Sequence, residues 1–163
     1  MNAIDNVRVA YDRDTRISPW ISWLPFVGDR EGEYSNRAAL EVLNNVGLAD
    51  RKDIVFKIMS YGQRKRTVVA ASLLAAPHVL ILDEPFAGLN VMPGGEAEII
   101  LKALKRRFAS DEDINLLIDH RVGLLQDVCD KAILIDGGRI IYHGSLDKLV
   151  ETGEFKEIYG TGP

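Results

Sequence analysis

The run Val79-Leu80-Ile81-Leu82, closed by Asp83-Glu84-Pro85, constrains this chain most. A short, continuous apolar run without helical period is the pattern of a parallel strand covered on both faces. In an open α/β sheet, ligands sit just beyond the carboxyl ends of strands, so the acid pair falls where a ligand binds. Neighbouring strand residues point to opposite faces, which implies two tasks rather than one. One carboxylate suits a hard cation such as Mg²⁺, which takes its remaining ligands from water and phosphate. The other suits orienting and deprotonating a water. A polar strand end facing solvent is the alternative.

Upstream, Ser60-Tyr61-Gly62-Gln63 predicts the start of a helix running through about Ala76. Ser60 is a good N-cap, and Gly62 lets the backbone approach another group closely. The free N–H groups of a helix start attract phosphate, although a purely structural cap has the same spelling. A second apolar strand is predicted over Ile114 to Ile118, with Asp119-His120 at its end. A lone histidine is more often a surface or core residue than a reactive one.

Taken in order, these pieces resemble the ATP-binding-cassette (ABC) ATPases. In that family a signature L-S-G-G-Q precedes a helix and then the Walker B strand with its glutamate. Met59-Ser60-Tyr61-Gly62-Gln63 resembles the signature, Val79 to Glu84 resembles Walker B, and Ala87-Gly88-Leu89-Asn90 looks like the D-loop. His120 looks like the switch histidine that contacts the γ-phosphate, whereas His78 and His143 are read as ordinary surface or core residues. A finer similarity, carried by S-Y-G-Q, A-G-L-N, L-L-I-D-H and the run Cys129 to Ile141, points to the ATPases of branched-chain amino-acid importers. Lipopolysaccharide-export ATPases share D-E-P-F-A-G.

The resemblance implies an α/β fold: the C-terminal part of a P-loop NTPase (RecA-like) ABC ATPase core, with a helical subdomain. It implies a helical portion over residues 1–60, begun by Ile4-Asp5-Asn6-Val7, and the core over residues 61–163. ATP and Mg²⁺ are the expected cofactors. Asp83 would help to hold Mg²⁺ and Glu84 would act as base toward the attacking water. His120 would sense the γ-phosphate. Ser60, Tyr61, Gly62 and Gln63 would reach across to the nucleotide of a second ATPase subunit, and Asn90 would link the two sites. Integral membrane permease subunits are the expected further partners, which places the chain on the cytoplasmic face of a membrane.

The sequence also departs from the family. No G-x-x-x-x-G-K-[ST] occurs in it, and Gly94-Gly95 is followed by Glu96, which would repel phosphate. No glutamine loop is visible. The expectation is an ATPase lacking its amino-terminal part, inactive alone, with apolar surface and a sheet edge uncovered. A non-catalytic partner that supplies only its signature is the alternative. A DNA-maintenance ATPase of the SMC type ranks lower, because it predicts a long heptad-patterned coiled coil and a basic face. Tyr61 stands where glycine is common, Arg121 where aspartate is common, and Ala71 where arginine is usual.

Composition is compatible with this reading. The 163 residues can bury a core, and 20 basic against 24 acidic residues give a net charge of −4 and a pI near 5.4, which argues against a nucleic-acid partner. The single Cys129 permits no internal disulfide. Ile17 to Val27 is too short to cross a bilayer and carries Pro19 and Pro25. Trp20, Trp23 and Phe26 within it form a candidate apolar ridge, for internal packing or for docking to membrane subunits.

The remainder predicts scaffold. Ser35 is expected to cap a helix through Val46 with Ala39, Leu40, Leu43 and Val46 inward and Gly47 as the stop. A helix is expected through Ile99, Ile100, Ala103, Leu104 and Phe108, with Lys102, Lys105, Arg106 and Arg107 on a solvated side. At least two of Arg64, Lys65 and Arg66 are expected in surface pairs. Ala132 to Asp136 and Arg139 to His143 predict a hairpin turning at Gly137-Gly138, followed by a short helix capped by Ser145.

Overall fold

The computed structural model describes residues 1–14, 28–75, 78–109 and 113–160, and for residues 11–14 and 28–32 the backbone alone. The proposed ridge of Trp20, Trp23 and Phe26 lies outside the described residues. Helix α1 (Ala3–Asp14), α2 (Gly28–Asn45) and α3 (Tyr61–Leu74) pack together around Ala3, Val7, Ala39, Leu43, Val46, Leu48, Met59 and Ala70. Positions 39, 43 and 46 recur at helical spacing, so they line one stripe. Short 3₁₀ turns at Ala49–Arg51 and Phe56–Ile58 carry the chain from α2 to α3.

Local chemistry sets the helix ends. Asn2 and Asp5 cap α1 reciprocally, each side chain accepting from the other's backbone N–H, at 2.9 and 3.3 Å. Gly47, with φ of 64°, stops α2, and the Leu48 N–H returns to the Leu43 carbonyl at 2.8 Å. The Arg66 guanidinium then donates to the Val46 and Gly47 carbonyls at 2.9 and 3.2 Å, closing the same helix end.

Two expectations for α2 fail. Ser35 is not its cap but lies inside it, only 2% exposed, because the preceding residues 28–34 are helical too and the hydroxyl finds a partner in Arg8 Nε at 3.4 Å. Leu40 faces outward, since it is one residue past the stripe that holds Ala39 and Leu43.

Strands β1 (Val79–Asp83) and β2 (Ile114–Ile118) run parallel, in a register that sets Val79 against Ile114, Ile81 against Leu116 and Asp83 against Ile118. Helix α4 (Glu96–Phe108) connects them and covers one face, where Leu80, Leu82, Phe86, Leu89, Ala97, Ile100, Leu101 and Leu104 are buried. Helix α3 bridges both cores: Ala70 belongs to the first and Val69 to the second. That double contact explains why it lacks a single apolar stripe.

The strand was expected to be covered on both faces, and it is not. Val79, Ile81, Ile114, Leu116 and Ile118 are each 44–67% exposed, because no described element packs on their side of the pair.

After α5 (Val122–Leu125), β3 (Lys131–Asp136) and β4 (Arg139–Ser145) form the predicted antiparallel hairpin. Gly137 and Gly138 both have positive φ, 53° and 75°, which the tight turn requires and other residues resist. Helices α6 (Leu146–Leu149) and α7 (Gly153–Tyr159) pack Leu146, Leu149 and Phe155 onto Val122 and Leu134. Ser145 occupies the N-cap position of α6, but its side chain makes no capping hydrogen bond there. Thr152 does cap α7, accepting from the Phe155 N–H at 3.2 Å.

The basic residues of α4 divide. Lys102 pairs with Glu98 and Lys105 with Asp127, both in solvent, and Arg106 reaches Asn45. Arg107 departs from the expected solvated face: its side chain is 16% exposed and it pairs with the equally sheltered Asp113 at 2.5 Å.

Candidate functional site

The acid pair terminates β1, but not as two alternating strand residues. Asp83 is the last strand residue, and Glu84 has left the strand with φ of 45°, a conformation that non-glycine residues adopt at a cost of about 1 kcal/mol or more. Its main chain is held from three sides. The Glu84 N–H donates to the Ile118 carbonyl at 2.7 Å, and the Glu84 carbonyl accepts from the Ala87 N–H at 3.1 Å and from the Lys65 ammonium of α3. Pro85 and Phe86 behind it are buried, Phe86 completely, and they anchor the turn.

The carboxylate so presented is half-exposed and stands 3.9 Å from His120 Nδ1. Glu84 and His120, far apart in sequence, are therefore brought together by the pairing of β1 with β2. His120 is held indirectly. Asp119 beside it is fully buried at its side chain, and Arg121 grips it with Nε and Nη2 and with its own backbone N–H, each at 3.0 Å. Burial pushes the Asp119 carboxyl pKa upward, but the Arg121 hydrogen bonds and charge, helped by His120, outweigh it and hold it below the usual carboxylate range. Arg121 also lies 5.8 Å from the centre of the Phe86 ring, which ties this corner to the Glu84 turn.

The second cluster forms at the start of α3. Ser60 caps it as expected, in a full capping box: its hydroxyl accepts from the Gln63 N–H at 3.2 Å, and the Gln63 side chain accepts from the Ser60 N–H at 2.9 Å. Tyr61 is exposed and lies over Gly88, where an added Cβ would meet its ring at 2.8 Å. Gly62 is buried, and a Cβ there would lie 2.1 Å from the Glu96 carboxylate, so the expected close approach is made. That carboxylate also accepts from the Asn90 N–H at 3.2 Å. Asn90 in turn accepts at its side chain from Met92 N–H, and its carbonyl accepts from Ala97 N–H.

The structure thus makes two groups of the residues singled out in the sequence. Asp83, Glu84 and His120 gather at the carboxyl ends of β1 and β2. Ser60, Tyr61, Gly62, Gln63 and Asn90 gather around the start of α3 and the turn before α4. Sequence reasoning missed four organising residues. Glu96, read only as repelling phosphate, joins Gly62 to Asn90. Lys65 binds a backbone carbonyl rather than a surface acid, as does Arg66, and no local pattern announces either. Arg121 was read only as a departure where aspartate is common, although an Asp-x-Arg spacing at a strand end suits the pair it forms.

Asp83 and Glu84 are exposed hard-oxygen donors and fit a cation that takes most of its ligands from water and phosphate. Among the described residues no group of three His, Cys, Asp or Glu could hold a metal by itself. At the other cluster, the Tyr61 and Gly62 N–H groups have no intrahelical acceptor, as in any first helical turn. Burial first, then neighbouring Asp130, pushes the Cys129 thiol up to about 11, which keeps it protonated near neutral pH. Among the described residues no helix is long and apolar enough to cross a membrane.

Residues 4–87 match the ABC transporter family. The chain is 31% identical to the phosphonates import ATP-binding protein PhnC 2 of Roseobacter denitrificans over 76% of its own length and 44% of that protein. It is 32% identical to the methionine import ATP-binding protein MetN of Streptomyces coelicolor, over 76% of this chain and 34% of the relative. Against the lipopolysaccharide export system ATP-binding protein LptB of Haemophilus influenzae the figures are 29%, 73% and 48%. The chain therefore spans about half the length, or less, of the curated relatives it matches. Among solved structures, the dimeric bacterial ABC transporter cassette MJ0796 superposes with a TM-score of 0.72 at 22% identity, covering 90% of this chain and 57% of that one. The fold is accordingly that of ABC ATPase cassettes.

Proposed function

The chain belongs to the ABC transporter family, whose ATP-binding subunits hydrolyse ATP, and we propose that it forms the signature and Walker B portion of such a subunit. The observation that carries this reading is the meeting of Glu84 and His120 at 3.9 Å, at the carboxyl ends of a parallel strand pair. Phosphoryl transfer needs positioning and charge stabilisation more than covalent chemistry from the protein. Glu84, fixed at its main chain with its carboxylate half-exposed beside His120, orients the attacking water and takes its proton. His120 donates toward the γ-phosphate, and Asp83 holds the cation. Mg²⁺, when bound, neutralises charge on the β and γ phosphates.

Ser60, Tyr61, Gly62 and Gln63 face the nucleotide of a second ATPase subunit, and Asn90 relays between the two sites through Glu96. For Gln63 to reach a partner's nucleotide, its side chain must leave the Ser60 N–H. Integral membrane permease subunits complete the assembly, on the cytoplasmic face of the membrane. The division into a helical portion to residue 60 and a core beyond it belongs to the same proposal, with α3 touching both. Branched-chain amino acids are the solute class that the S-Y-G-Q and L-L-I-D-H spellings favour. The relatives named above handle phosphonates, methionine and lipopolysaccharide.

A second reading has its own observation. The signature turn is fully formed at Ser60 and Gln63, which suits a partner lending its signature to an intact ATPase. Purified chain is expected to hydrolyse little ATP alone. Added to an intact ABC ATPase, it raises that enzyme's turnover on the second reading and leaves it unchanged on the first. Robust hydrolysis by the chain alone, abolished by Glu84→Gln, would overturn the division of labour between two subunits.

A further inference from the structure

Helix α3 holds the turn that carries Glu84 at both of its ends. Tyr61 and Lys65 stand one helical turn apart, so their side chains share a face. The Tyr61 ring lies against Gly88 at the far end of the turn, and the Lys65 ammonium donates to the Glu84 carbonyl at its near end. The two side chains also meet, with Lys65 Nζ 6.0 Å from the centre of the Tyr61 ring.

Glu84 needs this support. Its φ of 45° lies in the left-handed region, which glycine adopts more readily than a residue with a Cβ. Two of its three main-chain hydrogen bonds are made within the strand pair and the turn: its N–H donates to the Ile118 carbonyl, and its carbonyl accepts from the Ala87 N–H. Lys65 supplies the third from another element, and it is the only charged donor of the three, which strengthens such a bond over a neutral one. The peptide units on either side of the Glu84 Cα are thereby both tied down. Because each unit is planar, fixing the two sets the direction of the Cα–Cβ bond and so of the carboxylate that faces His120.

The same helix begins with the signature turn. Lys65 stands two residues beyond Gln63, on a helix whose first turn is locked by the Ser60–Gln63 capping box and whose middle is buried at Thr67, Val69 and Ala70. A helix held in this way shifts as a body, so a displacement at residues 60–63 reaches Lys65 and, through it, the Glu84 carbonyl.

We propose that Lys65 is a positioning residue for Glu84, and that through it the signature turn sets the orientation of the carboxylate beside His120. Under the ATPase reading, on which this assignment rests, the signature faces the partner's nucleotide while Glu84 serves the site of its own chain. Lys65 then ties engagement at one site to the base of the other.

The test follows the full chain by nuclear magnetic resonance without nucleotide, in wild type, Lys65→Met and Lys65→Arg. Methionine keeps the helix propensity and the stem but donates no hydrogen bond, whereas arginine keeps donor and charge. Lys65→Met is expected to speed amide exchange at Glu84 and Ala87 about fivefold or more, leaving Ala70 and Leu104 unchanged. At neutral pH it displaces the His120 ring resonances in the direction in which Glu84→Gln displaces them, and Lys65→Arg restores both readouts. Gln63→Ala, which opens the capping box, speeds exchange at Glu84 and Ala87 about twofold and adds nothing in the Lys65→Met background. Unchanged exchange at Glu84 and Ala87, unmoved His120 resonances, or a Lys65→Arg variant that behaves as Lys65→Met overturns the proposal. So does equal acceleration at Ala70 and Leu104, which marks a merely stabilising contact, or full additivity of Gln63→Ala with Lys65→Met. A failed ATPase reading would leave these exchange and resonance effects in place, so the two failures are told apart.

Discussion

Replacing Asp119 by asparagine isolates the support beneath His120. The carboxylate is fully buried and takes three hydrogen bonds from Arg121, all at 3.0 Å, while the Arg121 side chain remains 24% exposed. Asparagine keeps the shape but removes the charge and turns an amide donor toward the guanidinium. Breaking a wholly buried pair costs about 3–5 kcal/mol, and water reaching the exposed part of Arg121 lowers this to about 2–3 kcal/mol. In thermal unfolding, that loss corresponds to roughly 4–10 °C for a chain of this size. A double-mutant cycle with Arg121→Met is expected to return a coupling of about 1.5 kcal/mol or more.

The pH dependence has a definite sign. The folded Asp119 pKa is lowered from 3.8, so its contribution is complete above that value and is lost as pH falls through the folded pKa. Urea titrations should therefore show the full gap between wild type and Asp119→Asn at neutral pH and a narrowing gap below the unfolded value. A difference within about 0.5 kcal/mol at neutral pH, or a gap unaltered by acid, refutes the reasoning.

Three further outcomes follow from the geometry. Gly95→Ala places a Cβ 2.4 Å from the Asn90 carbonyl, a backbone atom that cannot swing aside; a loss of about 1–3 kcal/mol in urea unfolding is expected, with faster amide exchange at Ala97. Gly138→Ala strains the hairpin turn at φ of 75° and should cost about 1–2 kcal/mol, although its Cβ meets open space, so a neutral result would show that the backbone, not crowding, was misjudged. Cys129, its thiol pushed up to about 11, should react with iodoacetamide at neutral pH roughly a hundredfold more slowly than an ordinary thiol, and a normal rate would contradict its sheltered placement.

Much of the candidate site was legible because its chemistry is written in short local patterns. Ser60 and Gln63 are a capping box within one turn, and Gly137-Gly138 is a hairpin turn between alternating segments. The run Val79 to Leu82 and the run Ile114 to Ile118 are strands with no competing helical period. What was misread depends on neighbours remote in sequence. Ser35 looked like a cap until Arg8 supplied a partner inside the helix, and Arg107 looked solvated until Asp113 was brought against it. Lys65 and Arg66 find backbone carbonyls at the ends of other elements, for which no spacing rule exists.

From the residues alone come the elements, their order, the acid pair at a strand end and the glycine turn before a helix, since periodicity, capping and turn preference act within a few residues. Tertiary structure alone decides that Glu84 leaves its strand with positive φ to face His120, that Glu96 joins Gly62 to Asn90, and that, among the described residues, one face of the β1–β2 pair is exposed. Those features arise where elements distant along the chain meet, and a contact between such elements is set by packing and by hydrogen bonds that must be satisfied across the interface, which no local pattern encodes.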